Sequence, residues 1–169
     1  MTERLHLPPT YDPIPNQASL VFLAGPIKGS PDWQNPTALE LLHHLPEVEV
    51  ASPRRNSEEG FDYDEQVSWE KHHLWRAHQM GVVMFWLAAR DYSLDYNPSR
   101  TYAKTTSIEV GTLNGWLSYR RSPVVIGIDP DYTSTGGVSE KYIRTLARDH
   151  ELAVHNNLED VIDEVMRAA

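Results

Sequence analysis

Short apolar runs alternate with segments of helical spacing along the chain. The runs that we interpret as buried strands lie at residues 19–24 (SLVFLA), 48–51, 82–87 (VVMFWL), 123–128 (PVVIGI) and 152–154. The segments with apolar residues on one helical face lie at residues 36–45, 63–80, 106–119, 141–149 and 158–166. Continuous apolar strands are typical of a parallel sheet that is covered on both faces.

Strands that alternate with helices predict parallel βαβ units in one α/β domain. We therefore expect a flavodoxin-like, doubly wound sheet of five parallel strands in the order 2-1-3-4-5, with helices on both faces. The domain should cover residues 19–169. Residues 1–18 carry several prolines and no continuous apolar stretch, so we expect an extended N-terminal arm and not a signal peptide.

In such sheets a ligand binds beyond the carboxyl ends of the strands, at the switch between strands 1 and 3. Gly25 and Pro26 follow the first strand, and a long loop follows the third. Long loops in compact domains are often binding loops. The substrate contacts expected there are Gly25, Pro26, Asp91, Asp95 and Asn97.

The same loop is rich in aromatic residues. Trp86 ends the third strand, and Tyr92, Tyr96 and Tyr102 follow it. These rings could stack on a flat base and limit the access of water. The alternative is that Trp86 belongs to the core and the tyrosines cover the end of the sheet.

Glu109 lies in the segment TTSIEVG, at the start of the helix that leaves this loop. Thr106 and Glu109 have the spacing of a capping box, which closes a helix start. Alternatively, Glu109 is a carboxylate at the mouth of the crevice, kept ionised by the helix N-terminus. An ionised carboxylate is what a glycosyl nucleophile requires. Ser107 beside it is a further candidate substrate contact.

Glu70 ends the acidic segment DYDEQVSWE, which enters the second long helix. This cluster is either a solvated helix start or a set of groups that point into the crevice. In the second interpretation Glu70 holds a sugar hydroxyl or transfers a proton, and Asp64 contributes to binding.

The composition removes several classes of function. The chain has no cysteine, and a formal charge of −9 disfavours binding to nucleic acid. Its eight histidines form no pair at i,i+4 and no HExxH motif, so we expect no metal and no cofactor. No run is long enough to span a membrane, and a cytoplasmic location is expected.

Four segments together resemble the nucleoside 2-deoxyribosyltransferase-like family in their order and spacing: FLAGPI, DYDEQVSWE, VVMFWL and TTSIEVG. The resemblance extends from about residue 19 to residue 166. It implies a retaining, two-step exchange of nucleobases on 2′-deoxyribose, in which Glu109 forms a covalent glycosyl ester. The second acid of the family falls on Glu70, although Asp64 or His73 could take its place, since Ala77-His78 stands where the family has Ala-Asp.

The resemblance also implies deoxynucleosides and free nucleobases as small-molecule partners, and a homodimer or higher homo-oligomer. A close alternative is an N-glycosidase that hydrolyses deoxynucleosides or their 5′-monophosphates. The candidate phosphate donors, which are Ser30, Arg54, Arg55 and Ser134, form no phosphate motif, so a free nucleoside is favoured. A further alternative is a non-catalytic nucleotide-sensing module.

Overall fold

A computed structural model describes residues 4–57, 60–97, 101–117, 123–133 and 139–169. Within these ranges the chain forms one sheet of six strands with the order β1-β3-β2-β4-β5-β6. Every neighbouring pair is parallel. The strands are β1 (Leu5–His6), β2 (Ser19–Ala24), β3 (Val48–Ala51), β4 (Gly81–Leu87), β5 (Val124–Ile128) and β6 (Val154–His155).

Helices cover both faces of the sheet, as expected for a parallel α/β domain. They are α1 (Gln34–His44), α2 (Tyr63–Met80), α3 (Lys104–Leu117), α4 (Glu140–Asp149) and α5 (Leu158–Ala168). Apolar side chains of α2, α3 and α4 form one core with the sheet, and those of α1 and α5 form a second core on the opposite face. No helix in the described part of the chain is both long and apolar enough to cross a bilayer.

The expected count of five strands is wrong, because the N-terminal segment adds an edge strand. Leu5 and His6 form β1, which pairs with β3. The five strands expected from the sequence occupy the order β3-β2-β4-β5-β6 within the larger sheet. A two-residue strand next to several prolines has too few positions to produce a recognisable apolar pattern.

The rest of the N-terminal segment packs against α2. The Trp69 indole donates a hydrogen bond to the Thr10 carbonyl at 2.8 Å, and the Arg76 guanidinium donates to the Ala18 carbonyl at 2.9 Å. The His6 ring is buried, and its Nε2 lies 2.9 Å from Glu49 Oε2 on β3. These contacts fix the path of the chain into β2.

β2 ends in a sharp turn that lies close to the end of β4. Gly25 has φ +152°, and a Cβ built there would lie 2.2 Å from the Trp86 carbonyl oxygen and 2.8 Å from the Trp33 ring. Only glycine tolerates this approach of two backbones. The turn therefore brings Gly25 and Pro26 to the edge of the sheet where the strands end.

Candidate active site

A cavity of about 440 Å³ opens beside the turn after β2. Its walls come from that turn, from the segment between β3 and α2, from α2 itself, and from the start of α3. Of the residues expected at the site, the cavity brings together Gly25, Pro26, Glu70 and Glu109. The position at the carboxyl ends of parallel strands is the one that the topology predicts.

Glu109 belongs to the second turn of α3, because that helix begins at Lys104. The capping-box interpretation is therefore wrong, since Thr106 lies inside the helix and not at its cap. The Glu109 side chain is only 9% exposed, and its Oε2 has no hydrogen-bond partner among the described residues. A buried, unsatisfied carboxylate oxygen at a cavity wall needs an explanation beyond helix capping.

Glu70 faces the same cavity from α2, where it is 8% exposed. Its Oε1 accepts a hydrogen bond of 2.8 Å from Gln66 Nε2. The same amide nitrogen donates to the Pro53 carbonyl at 2.9 Å. Gln66 Oε1 accepts in turn from Arg55 Nε at 2.8 Å. Glu70 therefore has a fixed donor, in contrast to Glu109.

Burial raises the pKa of Glu70, and the hydrogen bond from Gln66 partly offsets this rise. Burial, and then the charge of Glu70, raise the pKa of Glu109 well above its ordinary value of 4.5. The expectation that the helix N-terminus keeps Glu109 ionised is therefore wrong, because Glu109 lies one turn inside the helix and loses its hydration. The ionisation of each carboxyl therefore opposes the ionisation of the other.

The turn after β2 forms a rigid wall of the cavity. The Pro26 carbonyl accepts hydrogen bonds from Ser30 Oγ at 2.8 Å, Trp33 Nε1 at 3.0 Å and Gln34 Nε2 at 3.1 Å. Arg54 supports the same turn, because its Nε donates to Gln34 Oε1 at 2.9 Å. Arg54 thus orients the Gln34 amide, which donates to the Pro26 carbonyl. In the same way Arg55 orients the Gln66 amide, which donates to the Pro53 carbonyl.

Sequence reasoning missed both glutamines. Gln34 lies outside the segments singled out in the sequence, and Gln66 lies within DYDEQVSWE but was given no role of its own. The one available signal was the pair Arg54-Arg55 directly after a buried strand, where charge is expensive unless it is paired. Both guanidiniums donate hydrogen bonds to glutamine side chains inside the molecule.

Trp86 does not line the cavity, so the stacking interpretation of this residue is wrong. The side chain is buried in the core formed with α1 and α5. A Cβ on Gly127 would lie 2.6 Å from its ring, which shows how closely the indole packs on β5. Trp86 at the end of β4 therefore belongs to the core, which was the alternative interpretation of this residue. Tyr102 is likewise buried and donates to the Ala88 carbonyl at 2.9 Å.

The other expected substrate contacts lie outside the cavity. Asp64 is exposed on α2, and Asp91 is partly exposed and accepts a hydrogen bond from the Ser93 hydroxyl at 2.6 Å. Asp95 and Asn97 line an adjacent depression of about 470 Å³, which shares Tyr96 with the cavity. The side chain of Ser107 lies outside the described part of the structure, as does Ser134.

The cavity combines its two carboxyls with basic groups. Lys28, Arg55 and Lys104 contribute to its lining. Lys28 Nζ lies 5.1 Å from the centre of the Phe61 ring, and the Arg55 guanidinium lies 5.2 Å from it. Among the described residues no three histidine, aspartate or glutamate side chains converge as a metal-ligand set.

Comparison with known proteins adds no functional assignment. No family model matches the chain, and a search of curated proteins finds no relative. The site therefore has to be interpreted from its own chemistry.

Proposed function

We propose that the protein is a nucleoside 2-deoxyribosyltransferase, which exchanges nucleobases on 2′-deoxyribose through a covalent ester at Glu109. The observation that carries the proposal is the meeting of two buried glutamates in one cavity, with Glu109 Oε2 unpartnered among the described residues. Retaining glycosyl transfer requires such a pair, one carboxyl as nucleophile and one as acid and base.

In the first step a Glu109 oxygen bonds to the anomeric carbon, and the bond from that carbon to the base nitrogen breaks. The electron pair goes to the base, and Glu70 supplies the proton that the base takes up. Attack therefore requires Glu109 to be ionised and Glu70 to be protonated, so a proton held by Glu109 in the free protein must leave it before the first step. A nitrogen of the second base then attacks the anomeric carbon, the bond from that carbon to the Glu109 oxygen breaks, and the base gives its proton to Glu70, so Glu109 is released and the configuration is retained.

Hydrogen bonds fix the groups that form the walls of the cavity. Pro26 is fixed by three donors, and Glu70 is fixed by Gln66. A preorganised site of this kind positions a substrate without further ordering. We also propose that the fold is flavodoxin-like with β1 as an added edge, and that the protein acts as a cytoplasmic homo-oligomer, as the resemblance in sequence implies.

A second candidate is the hydrolysis of deoxynucleoside 5′-monophosphates. Lys28, Arg55 and Lys104 favour it, because they line the cavity and could bind a phosphate. The internal hydrogen bonds of the Arg54 and Arg55 guanidiniums favour the free nucleoside, since they occupy the Nε donor of each arginine and leave fewer donors for a phosphate. The two candidates share the nucleophile and differ in their substrate.

The test is incubation of the protein with deoxyinosine and free adenine, followed by chromatography of the products. Formation of deoxyadenosine, with little free deoxyribose, supports the transferase. Deoxyribose released at an undiminished rate in the presence of adenine indicates a hydrolase. Turnover of deoxyinosine 5′-monophosphate alone supports the second candidate, and binding without turnover indicates a sensing module.

A further inference from the structure

Gln66 joins Arg55 to Glu70 by hydrogen bonds whose direction is determined by the partners. The Pro53 carbonyl can only accept, and Arg55 Nε–H can only donate. The Gln66 amide must therefore present its nitrogen to Pro53 and Glu70, at 2.9 Å and 2.8 Å, and its oxygen to Arg55, at 2.8 Å. Both protons of the amide nitrogen are used in this arrangement.

Rotation of the amide by half a turn would reverse these contacts. The Gln66 oxygen would then face the Pro53 carbonyl and the Glu70 carboxyl, and its nitrogen would face Arg55 Nε–H. The contacts with the Pro53 carbonyl and with Arg55 Nε–H would be repulsive, and the contact with Glu70 would be repulsive whenever Glu70 is ionised. Arg55 thus prevents the reversed orientation, and it is itself held in place, because its side chain is only 6% exposed and its Nη2 lies 3.3 Å from Glu65 Oε2.

We propose that Arg55 is a positioning residue that acts through Gln66: it holds a donor on Glu70 Oε1 and thereby determines how readily Glu70 releases its proton. The proposal rests on the proposed glycosyl transfer, in which Glu70 is the acid. Arg55 and Glu70 form no hydrogen bond with each other among the described contacts, so the influence passes through the amide.

The other charged groups around the cavity do not replace this donor. Glu109 and Lys104 contribute from α3, and Lys28 from the segment after β2. Glu109 has the same sign as Glu70 and favours its neutral form. Gln66 is the donor that stabilises the ionised form of Glu70, and it keeps the acid able to give up its proton near the working pH.

The experiment compares wild type with Arg55→Met, Gln66→Met and the double variant. In each variant we expect kcat to fall about tenfold or more, and the alkaline limb of its pH profile to move to higher pH. The double variant should show no larger change than Gln66→Met, because removal of Gln66 already removes the path from Arg55. Glu65→Gln, which keeps an oxygen acceptor for Arg55 Nη2 and removes only an exposed charge, should leave the profile unchanged.

A second measurement does not depend on activity. In protein labelled with ¹³C at the glutamate carboxyls, the Glu70 signal, assigned by its loss in Glu70→Gln, should titrate at higher pH in Arg55→Met and Gln66→Met. If the protein shows this shift but has no transferase activity, the positioning role of Arg55 is supported and the proposed function is rejected. The positioning role of Arg55 would be overturned if Glu70 titrates unchanged in folded Gln66→Met, or if the effects of the two substitutions add in the double variant.

Discussion

Burial, and then the carboxyl of Glu70, raise the pKa of the Glu109 carboxyl in a cavity that both residues line from different helices. The fold brings them together, because α2 leads into β4 and α3 follows the loop after it. Neither group can be ionised without cost to the other, so the two carboxyls are not both ionised as readily as isolated glutamates.

The first prediction concerns stability and pH in Glu109→Gln. Because the pKa of Glu109 lies above 4.5 in the folded protein, the native state keeps a proton that the unfolded chain releases above that pH. The free energy of unfolding of the wild type should therefore fall as pH rises from about 4.5 to the folded pKa, by about 1.4 kcal/mol per pH unit for one group. Glu109→Gln carries no such proton.

Urea unfolding of both proteins at a series of pH values measures this difference. The variant should become more stable than wild type as pH rises to neutrality, and the two should converge at about pH 4.5. A wild type that gains stability over the variant with rising pH would show instead that the fold stabilises Glu109 as an ion.

The second prediction separates Glu70 from Asp64. Glu70→Gln should lower kcat by about 10²–10⁴-fold, because the variant cannot protonate the leaving base. Asp64→Asn should have normal kinetics, because Asp64 is exposed and does not line the cavity.

A substrate with a weakly basic leaving group refines this test. Such a group departs without a proton, so the deficit of Glu70→Gln should shrink markedly with it. Normal turnover in Glu70→Gln together with a loss in Asp64→Asn would assign the acid to Asp64.

The third prediction concerns the turn after β2. Gly25→Ala should destabilise the protein by about 2–3 kcal/mol, because the new methyl group would meet the Trp86 carbonyl oxygen, which cannot move away. Gly111→Ala is the matched control: nothing lies within 4 Å of its Cβ position, and it should stabilise α3 by about 0.5–1 kcal/mol. Equal thermal stability of the two variants would contradict the close approach at Gly25.

The sequence predicted the α/β class and the main elements because long apolar runs report burial directly. Strands β2 and β3 and helix α2 have the predicted bounds. The edge strand β1 was missed, because two residues cannot establish a pattern. The location of the cavity followed from the topology of parallel strands and not from any single motif.

The environment of the site residues could not be predicted in the same way. The start of α3 differs from the expected residue 106 by two positions, so Glu109 lies in the second turn, and its burial depends on packing between elements that are distant in sequence. Trp86 was ambiguous because an aromatic residue at a strand end suits a core and a binding wall equally well. Gln66 lies within the segment DYDEQVSWE, but its role could not be assigned from the sequence, since that role depends on contacts with Arg55 and Glu70.

The most direct test of the account is to trap the glycosyl ester and identify the residue that carries it. A nucleoside with fluorine at C2 of its sugar should slow both steps, because fluorine destabilises the oxocarbenium-like transition state, and a good leaving base should let the ester accumulate. Peptide mass spectrometry should then find the fluorinated pentosyl group on the peptide that contains Glu109, and Glu109→Gln should give no adduct. An adduct on Glu70, or turnover of this substrate with no adduct on any peptide, would contradict Glu109 as the nucleophile.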